Sequence, residues 1–299
     1  MEEKAEELSN EYQESIAEID GRINLQAKLL MPDGNYPEIS KIIKILLNDV
    51  EHKLRGMLYH KYNYENIESK IIAEALKVYK EDSNKINVPD ALLFEFEAFL
   101  FQTKSSLDLA IKILEVFFPG EFRVHTFEKQ GERLMKNLER YKTTIMKKER
   151  DQIKDIKRLE KVKDIRHETI DNIINMLKND KTVWLDKAIN IRDTVSHYSG
   201  SGILSLHQYT FEVKDKDKCI IKSPMILNVY PREFIDITYQ NCIEFIQDFL
   251  CLSIELWLPP LFVVTMANDL HPTLKEWHKT NFTPAKYIKY TLGTRTDLK

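Results

Sequence analysis

Arg192 and His197 lie five residues apart in the run Asn190-Ile191-Arg192-Asp193-Thr194-Val195-Ser196-His197-Tyr198-Ser199-Gly200. The guanidinium is a permanently charged planar donor fork suited to a phosphate. The imidazole titrates near neutral pH and can take up or release a proton. Holding developing negative charge and moving a proton are the two tasks of metal-independent phosphodiester cleavage. The spacing alone is not specific, because Arg55 and His60 repeat it and form a rival pair. On an ideal helix five residues turn about 140° beyond a full circle, so the two side chains of either pair point apart in mid-helix. After His197, however, come Gly200 and Gly202, and glycine ends helices, so the last turn can loosen and let the imidazole swing toward Arg192. Asp193 stands four residues before His197, where its carboxylate can hold an imidazole N–H. The same residues also read as cations at the negative end of a helix dipole with a local Asp–His contact, and spacing does not separate the two readings.

The elements that must position this run are helical. The ten prolines leave a proline-free stretch from 120 to 223. Helix-length segments fit at 3–30, 38–62, 66–81, 89–118, 126–162, 164–179, 182–198 and 232–257. Apolar residues at Phe96, Leu100, Leu107, Ala110, Leu114 and Phe117 mark a buried face along 89–118. Segment 126–162 carries Leu134, Leu138, Tyr141 and Ile145, then slips and resumes with Ile153, Ile156 and Leu159. It reads as one long half-solvated helix or as an antiparallel arm. The 209–222 stretch, with Tyr209 to Val213 and Cys219 to Lys222 around a charged turn, predicts a β-hairpin. Phe234, Ile237, Cys242, Phe245, Phe249, Leu252 and Leu256 mark a last amphipathic helix.

Composition bounds the class. The chain has 299 residues, 43% hydrophobic and 30% charged, with only 8 glycines and 10 prolines. This excludes disordered, collagen-like and turn-dense all-β chains. The three cysteines Cys219, Cys242 and Cys251 form no CxxC pair and no disulfide framework. Cys242 and Cys251 complete an apolar helix face, so they read as packing groups. The first 20 residues hold eight acids and one lysine, the reverse of a basic leader. No apolar run reaches the roughly 18 residues of a membrane span, so no membrane partner and a cytoplasmic location are expected. The overall charge of −3 hides an asymmetry, since residues 128–164 hold 13 Lys/Arg against 8 Asp/Glu. A basic stripe and a solvated face laced with i,i+4 pairs are both compatible with that excess, which permits an RNA partner.

Several chemistries have no motif. There is no GxxxxGK[ST] loop, no GxGxxG after a strand, no HExxH and no GxSxG. The eight histidines include no i,i+4 pair, so neither a metal nor another cofactor is expected.

The run Ile191-Arg192-Asp193-Thr194-Val195-Ser196-His197 resembles the R-x4-6-H signature of the HEPN superfamily, small α-helical bundle domains, with a polar residue after the arginine. The segment Phe94 to Asp108, with its acidic and aromatic residues and its Ser-x-Leu-Asp run, is similar to the first core helix of that family. The resemblance covers about residues 87–257. It implies a mainly α chain: a HEPN-like antiparallel helical bundle at 87–257, an N-terminal helical region at 1–86, a small hairpin before the last long helix, and a C-terminal appendage at 258–299. It further implies a metal-independent endoribonuclease in a defence, toxin or stress setting, assembled as a homodimer with both subunits contributing to the site. Arg192 would hold the scissile phosphate and His197 would serve as base or acid at the 2′-hydroxyl, leaving 2′,3′-cyclic phosphate and 5′-hydroxyl ends. Glu97 or Asp108 would orient the pair, or Asp108 would simply pair with Lys104 across one helical turn. An antitoxin or a nucleotidyltransferase is the further partner. In one branch the motif continues as H-x-Y, with a tyrosine that the nucleotidyltransferase modifies; Tyr198 follows His197 directly and departs from it. Arg55, His60 and Tyr62 match that longer form, but Asn63-Tyr64-Glu65-Asn66 follows, not a hairpin and final helix. A catalytically silent helical module that binds a protein or nucleic acid is the alternative.

Overall fold

The structure, a computed structural model, describes residues 37–78, 86, 88–122, 126–127, 131–196, 209–215, 218–222 and 224–257. The segments expected at 3–30 and 258–299 lie outside them. The described part is mainly α. In chain order it comprises α1 (Pro37–Val78), α2 (Asp90–Ala110), the short α3 (Ile113–Phe117), α4 (Glu132–Gln152), α5 (Ile156–Asp180), a π-helical turn (Lys181–Leu185), α6 (Asp186–Ser196), β1 (Thr210–Asp215), β2 (Lys218–Lys222) and α7 (Pro231–Trp257). The two strands pair antiparallel, Thr210 opposite Lys222 and Val213 opposite Cys219.

α7 is the central element. Residues 241–250 are all buried, the pattern of a helix enclosed on every side. It packs against α1, α2 and α5. Ser106 of α2 marks the junction: its hydroxyl lies 3.4 Å from Cys242 Sγ and 3.8 Å from Met57 Sδ of α1. Burial pushes the Cys242 thiol up to about 12, so this cysteine is a packing group. α1 and α2 run antiparallel, since His60 meets Glu95 while Gly56 meets Gln102. Buried residues of α1 from Val50 to Ile71 share one core with α2 to α7, so the core has no break at residue 86.

Helix boundaries depart from the sequence pattern at four places. α1 runs unbroken where separate helices at 38–62 and 66–81 are predicted. Asn63 and Asn66 are weak helix formers, but Tyr64 and Glu65 are buried and the Asn63 amide donates to Glu95 of α2 at 3.3 Å. Tertiary contact carries the helix through. The predicted 89–118 helix stops at Ala110 and turns at Ile111 and Lys112 before α3.

The predicted 126–162 helix is two helices, α4 and α5. Asp155 breaks it: its side chain accepts from the N–H groups of Lys157 (3.0 Å) and Arg158 (3.4 Å) and caps α5. Ile153 and Val162 bury against each other beside the bend in a small cluster of their own. The ion pairs Lys181–Glu132 (2.5 Å) and Lys142–Asp171 (2.6 Å) show that α4 and α5 run antiparallel. Finally, the expected gap between 164–179 and 182–198 is the π turn, through which α5 continues into α6.

Gly131, at φ +85°, opens α4. The positive φ favours glycine, and a Cβ there would press on Leu177 at 3.1 Å and on the Phe127 ring at 3.3 Å.

Asp155→Ala is expected to lower unfolding free energy by about 1 kcal/mol, and Asp155→Asn to retain most of it. Urea denaturation of the three proteins measures this, and an unchanged midpoint in Asp155→Ala would remove the cap from the account of the bend.

Candidate functional site

The π turn decides where Arg192 points. Inside it, the buried Trp184 donates from Nε1 to Asp180 Oδ1 at 2.6 Å, and its ring meets Phe245 of α7 edge-on at 6.3 Å. A π turn adds a residue to the helical register and rotates everything that follows. Beyond it, Ala188 and Val195 are buried. Arg192 stands four residues after the first and three before the second, so it shares their inward face. The Arg192 guanidinium carbon lies 5.9 Å from the centroid of Phe101 on α2, within cation–π range. Its Nη1 is 3.1 Å from Asp193 Oδ1. Its Nε is buried and finds no acceptor among the described residues. At 23% side-chain exposure, the guanidinium is held in place yet still reaches solvent.

His197 and Tyr198 follow Ser196, the last residue of α6, and lie outside the described residues. Asp193, expected on the imidazole, has Arg192 within ion-pair distance. Glu97 sits one helical turn before Phe101, and partial burial raises its carboxyl pKa. Asp108 lies two turns beyond Phe101; it pairs with Lys104 and accepts the Phe127 N–H at 2.5 Å. That contact fastens the chain ahead of α4 to α2.

The rival pair is placed differently. Arg55 and His60 occupy the middle of α1, so the helix does not loosen between them. Arg55 Nη2 is 2.6 Å from Glu51 Oε1. His60 Nδ1 is 2.7 Å from Glu95 Oε2, and Glu95 Oε1 takes the Asn63 amide. Each member is oriented by its own carboxylate, on different sides of the helix. Sequence spacing could not show the His60–Glu95 contact, which joins residues 35 positions apart.

A second polar group escaped the sequence reading altogether. Tyr209 donates to Glu68 Oε1 at 2.7 Å and lies 3.1 Å from the Tyr64 hydroxyl. Alongside, Lys61 bridges Glu65 (2.6 Å) and Asp236 (2.8 Å), and Arg232 reaches Glu65 at 3.3 Å. Burial raises the Glu68 carboxyl pKa, against the Tyr209 hydrogen bond and the Arg232 charge that lower it. Burial also raises the Tyr64 hydroxyl pKa. For Lys61 burial acts downward, but Asp236 and Glu65 prevail and hold the ammonium pKa above its ordinary value. Apart from Lys61–Glu65 within α1, these bonds span 141 to 175 residues of chain, and they tie α1, Tyr209 and α7 together.

Among the described residues, no group of three or more His, Cys, Asp or Glu is arranged to hold a metal ion, and no helix is long and apolar enough to cross a membrane. Comparison with family models, with curated proteins and with solved structures finds no match for the chain.

A carboxyl pKa raised by folding means the native state binds the proton more tightly than the unfolded chain. Glu68 therefore contributes stability below its unfolded pKa and loses it as pH rises through the folded value. Glu68→Gln keeps an acceptor for Tyr209 and removes the titration. The melting temperature of Glu68→Gln relative to wild type should be higher at pH 7.5 than at pH 4.5. An equal difference at both pH values would show that Glu68 does not carry this dependence.

Proposed function

We propose that the chain is a metal-independent endoribonuclease of HEPN type, with Arg192 and His197 as its working pair. The observation that carries this reading is the state of Arg192. Its guanidinium is pinned between α6 and Phe101, largely buried but still in reach of solvent, with an Nε that has no acceptor among the described residues. A guanidinium fixed in this way has donors to spare for an anion, and partial burial strengthens their attraction to it. Because the donors are already oriented, little reorganisation is needed as charge builds on a phosphate in the transition state.

The reaction supported by this pair is attack of an RNA 2′-oxygen on the adjacent phosphorus. The O2′–P bond forms and the P–O5′ bond breaks. The 2′ proton leaves to a base and the departing 5′-oxygen takes up a proton, tasks for His197. The homodimer implied by the family resemblance would supply two such pairs, one per subunit, and an antitoxin or nucleotidyltransferase remains the proposed further partner in a toxin or defence setting.

The alternative, a catalytically silent module that binds a protein or nucleic acid, has one observation in its favour. Asp193 at 3.1 Å already offers negative charge to Arg192, and a phosphate must compete with it.

Arg192→Ala should lower the RNA cleavage rate by about 10²- to 10³-fold, and His197→Ala by about 10²- to 10⁴-fold. His60→Ala, folded by circular dichroism, should cleave at the wild-type rate, and EDTA should leave all rates unchanged. Cleavage that survives Arg192→Ala, or that stops on chelation, would reject the reading.

A further inference from the structure

The α4–α5 hairpin bears a run of cations that neither the core nor the proposed active site uses. Arg133, Lys136, Arg140, Lys147 and Arg150 are all exposed on α4. At 100° per residue they fall within an arc of about 100° and extend about 26 Å along the axis. The arc lies opposite Leu134, Leu138, Tyr141 and Ile145, which are buried. At the bend the positive charge continues through the exposed Lys154, Lys157 and Arg158. Among the described residues from 132 to 161, nine exposed cations stand against three exposed acids, Glu139, Asp155 and Glu160. Asp155 is committed to capping α5.

The cations that do pair across the hairpin, Lys142 with Asp171 and Lys181 with Glu132, are only partly exposed and sit between the helices. They hold the hairpin together. The outward-facing ones leave like charges three, four and seven residues apart, which costs helix stability. A row of this kind is compensated when a polyanion lies along it and its counterions are released.

We propose that the outer face of α4, continued by the bend at 153–155 and the first turn of α5, is a docking surface for the phosphodiester backbone of RNA. The choice of RNA rests on the ribonuclease reading. The surface itself stands on charge and geometry. Linear spacing suits a strand, and three of the five α4 cations are arginines, whose forks match phosphate oxygens. An anionic membrane is the less favoured partner. Ile156, at 73% exposure, is the one exposed large hydrophobic residue of the hairpin among the described residues, whereas interfacial helices present an apolar face. The surface would hold substrate through its backbone without reading its bases.

The test uses the full chain and a fluorescent RNA of about twelve nucleotides, fully 2′-O-methylated so that it cannot be cleaved, with affinity read by anisotropy from 50 to 200 mM KCl. Replacing Lys136, Arg140 and Lys147 together by Gln should weaken binding at least about tenfold at the lowest salt, and the log–log salt slope should shrink by about 2. Lys70→Gln with Lys77→Gln, two exposed cations of α1, should leave both quantities unchanged. The proposal is overturned if the triple variant binds as wild type does, or if the α1 control loses as much. It is equally overturned if wild type ignores RNA but binds phosphatidylcholine–phosphatidylserine vesicles through the same three residues. Because this readout needs no cleavage, an inert enzyme that binds through the stripe would end the ribonuclease reading and keep the docking surface.

Discussion

The enclosure of α7 on every side is the constraint from which the rest of the architecture follows. A helix with Phe234, Phe245, Ile246 and Phe249 all fully buried must be surrounded, and α1, α2 and α5 do so. Polar groups that come with it need partners. Arg166 of α5 donates to the Leu256 carbonyl near the C-terminal end of α7, a contact that suits both the orphan carbonyl and the dipole there. The Phe245 ring receives Trp184, and Trp184 with Asp180 organises the π turn. From that turn α6 emerges with Arg192 on its inward face. The position of the guanidinium over Phe101 is thus a consequence of packing that begins at the centre of the core.

Charge is sorted by depth in the same structure. The buried carboxylates Glu65 and Glu68 are matched by Lys61, Arg232 and the Tyr209 hydroxyl, as buried charge requires. Arg192, at intermediate depth, is only partly matched. The outward-facing α4 cations Arg133, Lys136, Arg140, Lys147 and Arg150 are exposed. This gradient separates closure of the α1–α7 seam from the anion capture proposed for α6 and the long-range attraction proposed along α4.

What the sequence makes legible here is local. The last helix, its apolar face and the buried role of Cys242 follow from 3.6-residue periodicity. The slip after Ile145 marks the approach to the bend at 153–155, although the cap that makes the bend is a single aspartate that periodicity does not see. The π turn was not legible, because Lys181 to Leu185 contain no helix breaker and the turn depends on Trp184 finding Phe245. Nor was the continuity of α1 through Asn63, which rests on Glu95 and Tyr209. In the candidate site, Arg192 could be singled out by type and spacing. Its seat on Phe101 could not, because the two residues are 91 positions apart and meet only when α6 packs on α2. Asp108 was open to two readings, and its bonds to Lys104 and Phe127 give it structural work.

The proposed account stands on the chemistry of the cleaved ends, since attack by the 2′-oxygen leaves a signature that metal-activated water does not. The most direct measurement is mass spectrometry of the fragments from one RNA oligonucleotide incubated with the full chain in EDTA. The account predicts fragments ending in a 2′,3′-cyclic phosphate paired with fragments beginning in a 5′-hydroxyl, and no cleavage where the scissile nucleotide lacks its 2′-hydroxyl. Fragments with 3′-hydroxyl and 5′-phosphate ends, or cleavage that ignores the missing 2′-hydroxyl, would contradict it.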